Sequence, residues 1–103
     1  MNNLKTFYGS TVIDNNDSEE INAGEIELEY YKTKSNIEKR NLELYGIGII
    51  KKRKSEKTLE IEEKEVTNIK LKEKDVDNIL NLLMAYKVTP TGLDDVLEDL
   101  VNY

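Results

Sequence analysis

Apolar and polar residues alternate from residue 25 onward, where glutamates separate Ile26, Leu28 and Tyr30. A period of two is typical of a strand with one buried face, so we expect these three side chains to face a core. The alternation returns after each of two polar connections, in residues 42–50 and 58–62. This central part of the chain therefore predicts an antiparallel meander of three strands.

Two parts of the pattern are less regular. The apolar positions shift from even to odd numbers at Gly46, and a one-residue shift at a glycine predicts a β-bulge there. Residues 4–13 contain several β-forming residues interrupted by Gly9-Ser10, which predicts a weak additional strand. The polar, acidic residues that follow, 14–24, predict an exposed loop.

The period becomes helical after residue 72. Val76, Ile79, Leu80, Leu83 and Tyr86 follow helical spacing, and we expect Tyr86, like Tyr30, to lie in the core or at its edge. This helix ends before Pro90, because the residue preceding a proline is pushed toward extended geometry. A second, shorter helix is predicted by an apolar stripe that belongs to the core: Leu93, Val96, Leu97, Leu100 and Val101.

These elements predict an α+β fold, an antiparallel meander sheet of three to four strands with two C-terminal helices packed on one face. A chain of 103 residues has the size of one domain and can bury a core without a disulfide or a metal. We expect a single domain, residues 1–103, with three parts: a weak strand and acidic loop (1–24), a β-meander (25–71) and a helical pair (72–103).

The chain contains no cysteine and no histidine. Thiolate nucleophiles, the usual zinc ligands and an imidazole base are therefore excluded, and we predict a protein that is not an enzyme and needs no cofactor. Residues 14–25 carry oxygen ligands at calcium-loop spacing, but Glu19 occupies the position that requires glycine, so we predict no metal site. The first residues lack the apolar run of a signal peptide, and no membrane span is expected, which favours a cytoplasmic location.

The charge is distributed unevenly along an acidic chain. Residues 1–30 and 58–103 each carry a net charge of −6, whereas residues 31–57 carry +6. A run of cations is expected at a hairpin connection and forms the candidate partner-binding site: Lys51, Lys52, Arg53, Lys54 and Lys57. We predict a non-enzymatic regulatory module that binds a protein partner through a charged sheet edge and this basic hairpin. Direct nucleic-acid binding is not expected, since the acidic remainder repels a polyanion, and a basic hairpin also simply prevents strand pairing.

An alternative hypothesis starts from the acidic face of the first central strand. Glu25, Glu27 and Glu29 form an outward row with a spacing of roughly 6.6 to 6.8 Å, which Glu60 and Glu62 extend. Such a row resembles nucleic-acid phosphates and suggests an inhibitor of a nucleic-acid-binding protein, for example a phage-encoded inhibitor of a defence nuclease. The simpler interpretation is the polar face of a strand.

Four short motifs resemble a family of small uncharacterised proteins of clostridia and related Firmicutes, over roughly residues 25 to 101. They are Tyr45-Gly46-Ile47-Gly48-Ile49, Val66-Thr67-Asn68-Ile69, Val88-Thr89-Pro90 and the acidic tail 93–99. The resemblance implies a cytoplasmic protein from a low-GC bacterium. The family has no known activity, so the resemblance supplies no site residues.

Overall fold

Four antiparallel strands form one sheet in chain order, and two helices follow them. The computed structural model describes residues 2–13, 25–37, 42–55 and 57–101. The strands are β1 (Asn2–Ile13), β2 (Glu25–Ile37), β3 (Leu42–Lys54) and β4 (Leu59–Ile69). The helices are α1 (Glu73–Ala85) and α2 (Leu93–Val101), joined through a 3₁₀ turn at Pro90–Gly92. The α+β prediction is confirmed.

The predicted weak strand at the N-terminus is a full member of the sheet. Strand β1 has 12 residues and pairs with β2 along its length, with one register shift between Phe7 and Gly9. The Tyr8 hydroxyl at this shift donates a hydrogen bond of 2.9 Å to the side chain of Asn81 in α1. Strand β1 is therefore fastened to the helices as well as to β2. The predicted acidic loop, residues 14–24, lies outside the described residues.

The core lies between one face of the sheet and the two helices. It contains the predicted strand residues Leu28 and Tyr30, which are fully buried, while Ile26 is half-buried at the margin. The remaining fully buried side chains of this layer come from β3 and the helices: Ile47, Ile49, Val76, Leu80, Leu83, Leu93 and Leu97. The opposite face of the sheet, which the helices do not cover, is called the open face below.

The predicted core positions of Leu100 and Tyr86 are wrong, and Leu100 of α2 is 47% exposed. Helix α1 ends at Ala85, and Tyr86 lies in the turn that follows, where its side chain is 76% exposed. In this turn the Lys87 backbone adopts a φ of 53°, and the Val88 amide donates a 2.9 Å hydrogen bond to the carbonyl of Leu83. Because the helix ends one residue before Tyr86, the helical spacing does not place this side chain on the buried side.

An irregularity lies at Gly46 as predicted, between Tyr45 and Ile47 in the pairing with β4, but the extra residue belongs to β4 and not to β3. Strand β3 pairs with β2 in continuous register from Leu42 to Lys54, so Gly46 causes no shift there. The irregularity lies in β4, where three steps from Val66 to Ile69 oppose two steps in β3, and Asn68 has a φ of 58°. The phase shift in β3 marks a change of face: Leu44 lies on the open face, whereas Ile47 and Ile49 lie under the helices.

Candidate functional site

The predicted basic hairpin connection is mostly strand. Strand β3 continues to Lys54, and the turn begins at Ser55, whose amide donates a 2.9 Å hydrogen bond to the carbonyl of Thr58. Their two hydroxyl oxygens are also 2.6 Å apart. Only Lys57 of the five predicted partner-binding residues lies in this turn. The other four extend the central strand, which corrects the prediction of a basic hairpin tip.

The basic part of β3 pairs with an acidic strand on each side. In the register with β2, Lys54 is opposite Glu25 and Lys52 is opposite Glu27. In the register with β4, Arg53 is opposite Glu60 and Lys51 is opposite Glu62. Opposite charges directly across a sheet contribute roughly 0.2–1 kcal/mol per pair. The basic and acidic features that the sequence suggested as rival sites are therefore one interleaved structure, called the charge ladder, with these members: Glu25, Glu27, Glu29, Lys51–Lys54, Glu60 and Glu62.

Strand alternation divides the charge ladder between the two faces of the sheet. Lys52 and Lys54 lie on the open face, whereas Lys51 and Arg53 lie on the helix side, because successive side chains point to opposite faces. The four cations thus form two pairs and not one basic patch. Glu25, Glu27 and Glu29 share the open face as predicted. Glu60 and Glu62 lie on the helix side and do not extend that row, which corrects the prediction.

Lys52 and Glu29 form an ion pair within the charge ladder. Their Nζ and Oε1 atoms are 2.9 Å apart, and this hydrogen bond raises the pKa of the Lys52 ammonium group. The Tyr31 hydroxyl lies 3.4 Å from the same carboxylate oxygen. Burial, followed by the negative charge of Glu29, raises the pKa of Tyr31. The acidic row of the open face therefore carries a cation within it and is not a continuous negative surface.

Exposed apolar side chains border the charges of the open face. A shallow depression of about 410 Å³ is lined by Glu25, Glu27, Lys52, Lys54 and Leu59. On the β4 edge, the side chains of Leu59 and Ile61 are 56% and 55% exposed. On the β1 edge, Val12 is 39% exposed. We call this surface the open-face site, and its members are Val12, Glu25, Glu27, Lys52, Lys54, Leu59 and Ile61.

The aromatic residues farther along the open face contact one another. The rings of Phe7 and Tyr31 meet edge to face with their centroids 5.6 Å apart. The Lys5 ammonium nitrogen lies 4.7 Å from the centroid of the Tyr31 ring and 4.0 Å from a carboxylate oxygen of Glu65. The Tyr31 ring thus has partners on the sheet itself, which makes it a poor platform for stacking a ligand.

Whether a metal ion could bind depends on how acidic side chains are grouped in the part of the chain that the structure describes. There, no three acidic side chains are grouped so that they could hold a metal ion. The segment with calcium-loop spacing, residues 14–25, lies outside the described residues except for Glu25, so the prediction that it is not a metal site stays a prediction.

The fold and the site define a small α+β protein in which a four-stranded meander carries two C-terminal helices on one face and a charged, partly apolar surface on the other. Residues 9–103 match DUF6514, a family of unknown function, and the chain belongs to this family. No curated protein and no solved structure matches the chain. Within the described ranges, no helix has the length and apolar character needed to cross a membrane.

Proposed function

We propose that this protein is a non-enzymatic regulatory module that binds a protein partner through the open-face site. The observation that carries the proposal is the exposure of Leu59 and Ile61, each more than half exposed, beside the charged depression between β2 and β3. Clusters of exposed apolar side chains rimmed by polar groups are typical of protein interfaces. The apolar residues supply the area that a partner buries.

The charges of the open-face site favour a partner with a mixed, complementary surface. Lys52 and Lys54 stand opposite Glu27 and Glu25, so both signs are present within a few residues. Mixed charges around an apolar patch set orientation and reject wrong partners more than they add affinity. This arrangement supports recognition of a folded protein surface over attraction of a highly charged polymer.

The inhibitor hypothesis, in which the glutamate row replaces nucleic-acid phosphates, is less favoured. Glu25, Glu27 and Glu29 share a face, but Lys52 forms an ion pair with Glu29 at 2.9 Å and Lys54 is opposite Glu25. A basic groove that binds phosphates would meet these two lysines as well. The absence of cysteine and the resemblance to Firmicute proteins support a cytoplasmic bacterial setting for the proposed module.

The test is affinity capture from an extract of the native host followed by mass spectrometry, with the full chain as bait. Two matched double variants each remove two cations from the same strand: Lys52→Gln/Lys54→Gln on the open face and Lys51→Gln/Arg53→Gln on the helix side. We expect the open-face variant to lose the captured partner and the helix-side variant to keep it. A third variant, Leu59→Ser/Ile61→Ser, should also lose the partner.

Other outcomes decide against the proposal. If the open-face and helix-side cation variants lose the captured partner equally, net charge, and not the open-face site, governs capture. Loss only after Glu25→Gln/Glu27→Gln/Glu29→Gln would favour the nucleic-acid mimic. Thermal unfolding of each variant shows whether its fold is intact. The charge variants should lose no more than their cross-strand pairs contribute, roughly 0.2–1 kcal/mol per pair.

A further inference from the structure

A second apolar surface lies on the outer side of the two helices. A groove of about 380 Å³ runs between α1 and α2, and Leu83 forms part of its lining. Its exposed members include Tyr86 and Leu100, of which Leu100 is 47% exposed. The remaining lining residues are Leu82, Val88, Val96 and Asp99. The groove is separate from the open-face site, since the sheet lies between the helices and that face.

The groove is bordered by two apolar rows. Leu82 lies in the last turn of α1, and Tyr86 directly follows the helix, where its amide donates a 3.0 Å hydrogen bond to the Leu82 carbonyl. Val96 and Leu100 are one turn apart on α2. Side chains four residues apart form the ridges of a helix surface, and helices pack by placing a ridge of one into the groove of another. The space between these two rows therefore has the form that a third helix fills with apolar residues at spacings of three and four.

The α2 side of the groove is acidic, while Lys87 lies between the lining residues Tyr86 and Val88. Helix α2 contains four acidic residues and no basic residue in its sequence, Leu-Asp-Asp-Val-Leu-Glu-Asp-Leu-Val. Asp94 forms an ion pair of 3.1 Å with Lys64 of the sheet, whereas Asp99 lines the groove and Asp95 and Glu98 are exposed on the same helix. A negative border attracts a positively charged partner and raises its association rate.

We propose that this groove binds an amphipathic helix of a partner protein, with an apolar face that fits between the two rows and basic residues on its flanks. The proposal goes beyond the proposed function, because it uses a different surface and different residues. Either surface can therefore fail its test without affecting the other.

The experiment uses the full chain and a defined probe. The probe is a helical peptide of about 15 residues, built from leucine and lysine with its leucines on one face. A scrambled peptide of the same composition, in which the leucines do not share a face, is the control. Peptide binding is followed by fluorescence anisotropy, and the site is mapped by methyl NMR of the protein. We expect the amphipathic peptide to bind and to shift the methyl signals of Leu82, Val96 and Leu100.

Variants at exposed groove positions test the residues that carry the proposal. Tyr86→Ser/Leu100→Ser should weaken peptide binding at least about tenfold, as truncation of central interface residues does. The matched control Val12→Ser/Ile61→Ser, on the open face, should leave the affinity unchanged. Asp99→Asn should weaken binding less and reduce its salt dependence.

Several results would overturn the proposal. If the scrambled peptide binds equally well, the attraction is one of charge alone. If the methyl shifts map to the open face, the groove is not the site. If the chain forms a dimer that Tyr86→Ser/Leu100→Ser converts to a monomer, a second copy occupies the groove instead. The comparison of the two peptides uses the unaltered chain, so it decides the question even if a variant does not fold.

Discussion

The Tyr30 hydroxyl donates a hydrogen bond to the carbonyl oxygen of Val88, with 2.8 Å between the two oxygen atoms. Tyr30 is fully buried in the centre of β2, and Val88 lies in the connection between the helices. The bond thus fastens the sheet to the point where the chain changes direction between α1 and α2. Burial raises the pKa of the Tyr30 phenol to about 12.

Removal of this hydroxyl should destabilise the fold with a defined pH dependence. Tyr30→Phe leaves the Val88 carbonyl without its partner and should lower the free energy of unfolding by about 1–2 kcal/mol at pH 7. Because the folded-state pKa of Tyr30 is raised, its contribution is complete below about pH 10 and is lost as the pH rises toward 12. Denaturant unfolding between pH 7 and pH 11 should therefore show the difference between the two proteins shrinking. A constant difference would contradict the role of the buried phenol.

Two glycines of β3 should respond very differently to the same substitution. A Cβ atom at Gly46 would meet the Thr33 hydroxyl oxygen and would lie 2.5 Å from the carbonyl oxygen of Val66. A Cβ at Gly48 would lie 3.7 Å from its nearest neighbour, the Tyr31 Cβ, which is an ordinary contact. Gly46→Ala should therefore cost about 3 kcal/mol, since backbone atoms must move.

Gly48→Ala is the matched control for Gly46→Ala, because it adds the same methyl group to the same face of the same strand. It should change the free energy of unfolding by less than about 1 kcal/mol. Thermal or denaturant unfolding measures both changes. Equal effects of the two substitutions would show that the cost is a general property of alanine in β3 and not a consequence of the close approach of β4.

The sequence predicts the elements of this fold well because their hydrophobic periods are local. The period-two pattern at Leu28 and Tyr30 and the helical spacing of Val76, Leu80 and Leu83 each suffice to indicate the buried side. The N-terminal strand has weaker alternation, and its place beside β2 is fixed by pairing over its whole length. Periodicity does not report such pairing.

The candidate site could not be predicted, because strand register determines it. Four consecutive cations have no period, so only pairing with β2 and β4 shows which of them share a face. Leu59 and Ile61 have odd numbers, like the buried Ile69, and alternate with polar residues as core residues do. The extra residue in β4 near Asn68 changes the face on which odd-numbered residues lie, so of these three only Ile69 lies under the helices. The asparagine at position 68 could have indicated this irregularity, since asparagine tolerates a positive φ better than most residues.

Truncation of two leucines of α2 should lower the free energy of unfolding by very different amounts, because one lies in the core and the other lines the groove. Leu97 is fully buried, whereas Leu100 is about half exposed beside Tyr86. Leu97→Ala should lower the free energy of unfolding by about 2–5 kcal/mol, as other buried leucine truncations do. Leu100→Ala should cost less than about 1 kcal/mol, because much of its side chain already contacts solvent. A loss below about 0.5 kcal/mol for Leu97→Ala in denaturant unfolding would show that its side chain is not part of the core.

The ammonium group of Lys32 bridges the sheet to two acidic residues of α1. It donates hydrogen bonds of 2.7 Å to Glu73 and 2.9 Å to Asp77, and its side chain is only 19% exposed. The hydrogen bond to Glu73 is the main cause that raises the pKa of Lys32, and the same bond lowers the pKa of Glu73. This contact holds the first turns of α1 against β2.

Replacement of Lys32 should weaken the fold most near neutral pH. Lys32→Met removes both bonds and leaves two carboxylates one helical turn apart, so we expect a loss of about 1 kcal/mol. The lowered pKa of Glu73 means that its contribution is present above about pH 4.5 and is lost as the pH falls. The raised pKa of Lys32 means that its contribution is present below about pH 10.5 and is lost as the pH rises. The stability difference between the wild type and Lys32→Met should thus be largest between these limits and should shrink in added salt. Lys74→Met, which removes an exposed lysine from the same helix, is the control, and an equal pH-dependent loss in that variant would assign the effect to net charge instead of the bridge.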